Sequence, residues 1–253
     1  MNFKTPLLLL CVFSFLAGSL YAQDQKPPFL DYQNSKWVDS VMQSLSPDER
    51  IAQLIMVAAY SNRGADHKKE ILKLIKDQKI GGVIFFQGDA KTQVELMNDY
   101  QLASEVPLLG AIDAEWGLGM RLKNTISYPY QMALGAIQDD KLIYDLGQEV
   151  ARQIKRSGLH VNFAPVVDVN NNANNPVINY RSFGEDMDNV ARKGIAYMQG
   201  MQDANLLTTA KHFPGHGDTA TDWQYALPQI NHAFSGLDSL VLPPFKKIID
   251  AGI

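Results

Sequence analysis

"LLTTAKHFPGHGDTATDWQYALP", residues 206–228, joins two kinds of sequence. Its first part, 206–213, is a short apolar run bounded by turn residues, the pattern of a parallel strand covered on both faces. From Lys211 onward it gathers a lysine, two histidines, two aspartates, two prolines and two glycines within eighteen positions. Pro214-Gly215 and Gly217 exclude a regular helix or a central strand, so these polar groups are carried on a shaped loop. Runs of the same strand type stand upstream: "LIMVAAY" (54–60), "GGVIFFQ" (81–87), "PLLGAID" (107–113) and "HVNFAPVVD" (160–168). The stretches between are amphipathic. "HKKEILKLIKDQ" sets Ile71, Leu72 and Ile75 on one side, and "DDKLIYDLGQEVARQIKRSG" closes with Gly158 as a C-terminal cap. Ser46-Pro47-Asp48-Glu49 is a capping box with proline in the first turn. Strand then helix, repeated five times, means an α/β fold.

Periodicity alone leaves a barrel and an open sheet both standing. The strand ends favour the barrel, because Asp113, Asp168 and Lys211-His212 close the third, fourth and fifth runs. In a parallel barrel all strand C-termini meet at one mouth, so groups far apart in sequence come together there. The expectation is a (β/α)8 TIM-barrel type fold, truncated after about five strands: a helix over 236–251 follows the fifth run and the sequence stops at Ile253.

The first 22 residues read as a signal peptide. Lys4 supplies a basic start, "PLLLLCVFSFLAG" an apolar run shorter than the roughly 20 residues of a spanning helix, and Leu20-Tyr21-Ala22 a cleavage site. An uncleaved anchor is the alternative, which the run's length disfavours. Export to the periplasm or the exterior is therefore expected, with residues 23–253 as the mature domain. Cys11, the only cysteine, departs with the leader, which leaves no disulfide framework, no thiolate nucleophile and no Cys-ligated metal. The 46% hydrophobic and 20% charged composition is ordinary for a globular domain. A net charge of −4 without a basic cluster argues against nucleic acid.

Three polar segments carry the candidate chemistry. In "AIDAEWGLGMRL" (111–122), Asp113 and Glu115 flank a strand end and Arg121 follows. A carboxylate beside a guanidinium suits a ligand with several hydroxyls, and an ion pair that merely staples the loop is the competing reading. In "NPVINYRSFGEDMD" (175–188), Arg181 sits among aromatic neighbours, a setting used to hold a planar cation. Asn170 to Asn175 read equally as caps and turns, and Asp168 as a buried acceptor for loop amides. His212, His216, Asp218 and Asp222 raise a metal site, yet no H-E-x-x-H spacing or cysteine pair supports one. Neither a G-x-S-x-G turn nor a Walker-type loop is present.

"KHFPGHGDTATD" followed by "ALP" resembles the signature of bacterial β-N-acetylhexosaminidases of glycoside hydrolase family 3. "IDAEWGLGMR", "NFAPVVDV" and "YRSFGED" are similar to other segments of that family, collinear over 54–253. The resemblance implies a (β/α)8 catalytic barrel that removes terminal β-linked N-acetylglucosamine, with no cofactor. It implies that Asp113, Arg121, Arg181, Lys211 and His212 hydrogen-bond the terminal sugar. Asp222 falls on the aspartate of an Asp-Ser-His triplet whose histidine is the general acid/base; here the triplet reads Asp222-Trp223-Gln224. An amide has no proton to exchange at ordinary pH, so the departing-group step is the one in question. The family's nucleophilic aspartate lies past the sixth strand, beyond these residues. A carbohydrate-binding pseudoenzyme and a family 3 β-glucosidase stand as alternatives.

Overall fold

The structure, a computed structural model, describes residue 30, residues 32–220 and residues 233–253. Its strands are β1 (Met56–Ala59), β2 (Gly82–Phe85), β3 (Gly88–Asp89), β4 (Leu109–Ile112), β5 (Leu122–Lys123), β6 (Val161–Asn162) and β7 (Leu207–Thr208). Five of them form one parallel sheet in the order β1-β2-β4-β6-β7, while β3 and β5 pair separately. Val57 lies opposite Val83, Ile84 opposite Ala111, and Val161 opposite both Ala111 and Leu207. The order advances in one direction with the chain. An open doubly wound sheet reverses at a switch point; an unreversed parallel progression is the wall of a barrel of the (β/α)8 type.

The last two strands of this wall are shorter than the apolar runs 160–168 and 206–213. Proline at 165 has no N–H to give to a ladder, so regular pairing stops there. Separate bonds carry the two segments onward together. Thr209 N–H reaches Ala164 O at 3.1 Å, Lys211 N–H reaches Pro165 O at 3.2 Å, and Val167 N–H reaches Lys211 O at 2.8 Å. Asp168 and Lys211 thereby end at the same edge of the sheet.

Helices cover the wall as the amphipathic patterns require. The helix Gly64–Lys73 runs on through a wider turn, Leu74–Gln78, and buries Ile71 and Ile75, with Leu72 half-buried. Asp140–Arg156 buries Ile143, Val150 and Ile154, and Gly158 beyond its end has φ 76°, the left-handed cap that glycine favours. Met187–Asp203 packs alongside with Val190, Tyr197, Met198 and Met201 buried. These two helices touch at Gly200, where an added Cβ would stand 2.0 Å from Tyr144 O, so only glycine allows the approach. Each fully buried large aliphatic side chain contributes about 1.5–3 kcal/mol. At Pro47–Ala52 the capping box is complete: Ser46 Oγ accepts from Glu49 N at 3.3 Å, and Glu49 Oε2 accepts from Ser46 N at 2.7 Å. The helix expected over 236–251 is broken into Phe234–Gly236, a wide turn Leu237–Val241, and Pro243–Asp250. Pro243 and Pro244 account for the break, since neither can donate to the preceding turn.

The expected leader, 1–22, and the candidate positions Asp222 and Gln224 lie outside the described residues. Among the described residues no helix is long and apolar enough to cross a membrane.

Candidate active site

The loops that leave β4, β6 and β7 meet at one end of the sheet. Asp113 follows β4 directly, and its Oδ2 accepts from Arg121 Nη2 at 2.6 Å while its Oδ1 accepts from Lys211 Nζ at 2.8 Å. Lys211 also reaches Glu115 Oε1 at 2.8 Å. Glu115 is fully buried and holds Arg181 in a two-point clasp, Nε to Oε2 at 2.9 Å and Nη2 to Oε1 at 2.6 Å. Arg181 Nη2 stands 3.2 Å from His212 Nε2, and His212 Nδ1 stands 2.7 Å from Asp168 Oδ2. Guanidinium groups only donate, so this partner set assigns Nδ1–H donating to Asp168 and Nε2 accepting from Arg181.

Asp168 is the anchor of the quoted loop. It is 1% exposed, and its carboxylate also accepts the backbone N–H groups of His212 at 3.1 Å and His216 at 2.6 Å. Asn175 holds the same loop from the other side, donating to His216 O at 2.7 Å and Gly217 O at 3.2 Å. Its Oδ1 accepts from Val177 N and Ile178 N at 2.9 and 2.8 Å, the turn role that asparagine plays in such a tract. Gly217 passes so close to the chain that a Cβ would lie 1.7 Å from Val169 O. The glycine in the Pro-Gly-His-Gly run is thus required by close backbone approach.

Arg121, Asp113, Lys211, Glu115 and Arg181 alternate in charge through this network and border an open cavity of about 810 Å³, with Asp168 buried behind His212. Its wall includes Asp113, Glu115, Arg121, Arg181, Lys211 and His212. Burial opposes ionisation of Asp113, but the Lys211 and Arg121 cations outweigh it and hold the carboxyl below its ordinary range. Burial likewise opposes ionisation of Glu115, and the Arg181 hydrogen bonds with the Lys211 charge prevail. Arg181 is held more firmly cationic, because the bond to Glu115 overcomes the desolvation of its own charge. Both carboxylates are therefore ionised at neutral pH. Lys211 has three N–H donors and spends two on carboxylates, and each Asp113 oxygen keeps lone-pair capacity, so donors and acceptors remain for neighbouring hydroxyls of one ligand.

All five predicted contact residues, Asp113, Arg121, Arg181, Lys211 and His212, line this cavity. The competing reading of Arg121 is also visible: its Nη2 does staple Asp113, and its guanidinium sits 4.7 Å over the Phe86 ring. Arg121 Nε is buried without a hydrogen-bond partner, as is Thr209 Oγ1 on the same wall. Glu115 is the central member that the sequence reading left beside the site. Its spacing of two from Asp113 was the available signal, but its partner lies 66 positions away. Among the described residues no group of three or more His, Cys, Asp or Glu could hold a metal ion.

Residues 46–253 match the model of the glycosyl hydrolase family 3 N terminal domain. Beta-hexosaminidase A of Pseudoalteromonas piscicida is 37% identical over 195 residues, which cover 72% of this chain and 33% of that protein. A glycoside hydrolase family 3 beta-N-acetylglucosaminidase from Paenibacillus sp. superposes with a TM-score of 0.75 at 38% identity, covering 83% of this chain and 41% of that one. The beta-glucoside phosphorylase BglX bound to 2FGlc superposes with a TM-score of 0.79 at 29% identity, covering 87% and 40%. This chain thus spans a third to two-fifths of the length of these relatives. On the extent of the domain match and the arrangement of the five strands, the chain belongs to glycosyl hydrolase family 3 as a member with the family's N-terminal domain.

Proposed function

We propose that this chain provides the sugar-binding part of a retaining glycosidase that removes terminal β-linked N-acetylglucosamine from saccharides. The observation that carries the reading is the convergence of Asp113, Arg121, Arg181, Lys211 and His212 on one open cavity. Fixed charged and polar donors and acceptors in a water-accessible hollow suit a ligand whose hydroxyls lie side by side on a rigid ring. The hexosaminidase and N-acetylglucosaminidase relatives from Pseudoalteromonas and Paenibacillus support the hexosamine over glucose. In this reading residues 1–22 direct export to the periplasm or exterior and are removed. Residues 23–253 then stand as the N-terminal catalytic domain, with no nucleic acid among its partners.

A second reading, a carbohydrate-binding pseudoenzyme, is favoured by one feature of the sequence. Gln224 stands where the acid/base histidine is implied, beside Asp222 as its orienting partner. Loss of such a group typically costs about 10²–10⁴ in rate, most of it for leaving groups that need a proton. Both readings are tested on the full-length protein with Gln224→His. Hydrolysis predicts that kcat/KM for a β-linked disaccharide rises far more than for a nitrophenyl glycoside, which departs unprotonated. Asp222→Asn in the same background should remove most of the gain. If neither form releases N-acetylglucosamine while both bind it, hydrolysis is contradicted and the binding role stands.

A further inference from the structure

Strand β6 carries one polar side chain into an apolar wall. Asn162 is fully buried, as are Ala114 and Met201, which its amide touches. Its Oδ1 accepts from Ala114 N at 3.0 Å, while its Nδ2 donates to Ala114 O at 3.3 Å and stands 3.3 Å from Met201 Sδ. Only one orientation of the amide serves both groups of Ala114, which decides which end is oxygen. A buried amide is costly to take out of water, so a strand that keeps one in its core keeps it for the bonds it makes.

Those bonds stand where β4 leaves the sheet. The strand ends at Ile112, whose carbonyl accepts Phe163 N–H at 2.9 Å, and beyond it the Asn162 side chain takes over from the ladder. Ala114 N–H belongs to the peptide plane that joins Asp113 to Ala114, and Ala114 O to the plane that joins Ala114 to Glu115. One amide thus holds two successive planes, which carry the two carboxylates of the site. The turn that follows uses the same carbonyl, with Gly117 N–H at 3.2 Å from Ala114 O, and Tyr197 Oη–H reaches the next one, Glu115 O, at 3.3 Å. Lys211 Nζ stands 2.8 Å from both Asp113 Oδ1 and Glu115 Oε1. That bracket closes only while the two carboxylates keep their separation.

We propose that Asn162 is a positioning residue for sugar binding, acting through the backbone of Ala114 to set the bracket of Asp113 and Glu115 around Lys211. The inference rests on the reading of the charged cavity as the terminal-sugar site. Asn162 itself is fully buried and does not meet the ligand. Its effect is to preset the direction of groups that do, so that little freedom is lost when the sugar binds. A leucine of nearly the same shape would fill the space but leave both groups of Ala114 unpaired, and the chain between the carboxylates would turn to find other partners.

The test is calorimetric titration of N-acetylglucosamine into the full-length protein and into Asn162→Leu, each also followed through a thermal melt. Affinity should fall about tenfold in the folded variant, the equivalent of one misplaced hydrogen bond to a charged group. Ile154→Val removes a buried methylene from the helix Asp140–Arg156 and lowers the melting temperature, yet it should keep the parent affinity. That control separates positioning from stability. Asn162→Ser, whose hydroxyl is too short to serve both groups of Ala114, should also bind more weakly and gives the readout where the leucine form does not fold. Parent affinity in folded Asn162→Leu or Asn162→Ser overturns the positioning role and leaves the charged site standing. A parent protein that does not bind the sugar overturns both.

Discussion

Two carboxylate–guanidinium clasps in this molecule share nearly the same geometry and have opposite surroundings. Arg152 on the helix Asp140–Arg156 grips Glu149 at 2.6 Å through both Nε and Nη2, with side chains 54% and 35% exposed. Arg181 grips Glu115 at 2.9 and 2.6 Å, with side chains 16% and 0% exposed. Distance does not separate these pairs; solvent does. An exposed pair one helical turn apart is screened and adds little, whereas a buried clasp depends on each partner because neither charge can be left alone. The outer clasp decorates a helix. The inner one ties loops 66 residues apart to one another and to the wall of a cavity.

The largest expected effect breaks the inner clasp. Glu115→Gln leaves Arg181 and Lys211 without their buried anion and should cost about 3–5 kcal/mol of stability in chemical denaturation. Arg152→Ala, the matched change outside, should leave the denaturation midpoint where it was. Equal effects at the two sites would erase the distinction drawn between them.

Acid sharpens the same contrast. Glu115 is ionised in the fold at lower pH than its ordinary value of 4.5, so its folded form sheds the proton more readily than its unfolded form. That contribution is fully present above pH 4.5 and is lost as the pH falls through the lowered folded value. The melting temperature of the parent should therefore drop more steeply below this pH than that of Glu115→Gln, which has no proton to take up there. Parallel curves for the two proteins would show that the clasp contributes no such linkage.

The alternation of apolar runs and amphipathic stretches made the α/β wall legible, because covered parallel strands and one-sided helices differ in period. The convergence of Asp113, Asp168, Lys211 and His212 was legible too, since a parallel barrel sends every strand end to one mouth. Two things were not. The strands at 160–168 and 206–213 shrink to two residues each, because Pro165 removes a ladder donor and the chain turns to single bonds. Glu115 as the hub of the charges depends on loops meeting across 66 residues. No local period encodes such meetings.

The central claim is that the buried charges at the strand ends exist to hold a sugar. Titration of N-acetylglucosamine into the full-length protein and into Asp113→Ala tests it most directly. Asp113 faces the cavity and carries both the Arg121 and Lys211 contacts, so its loss should weaken binding by about 1–3 kcal/mol. Equal affinity in the two proteins, with Asp113→Ala still folded, would contradict the account.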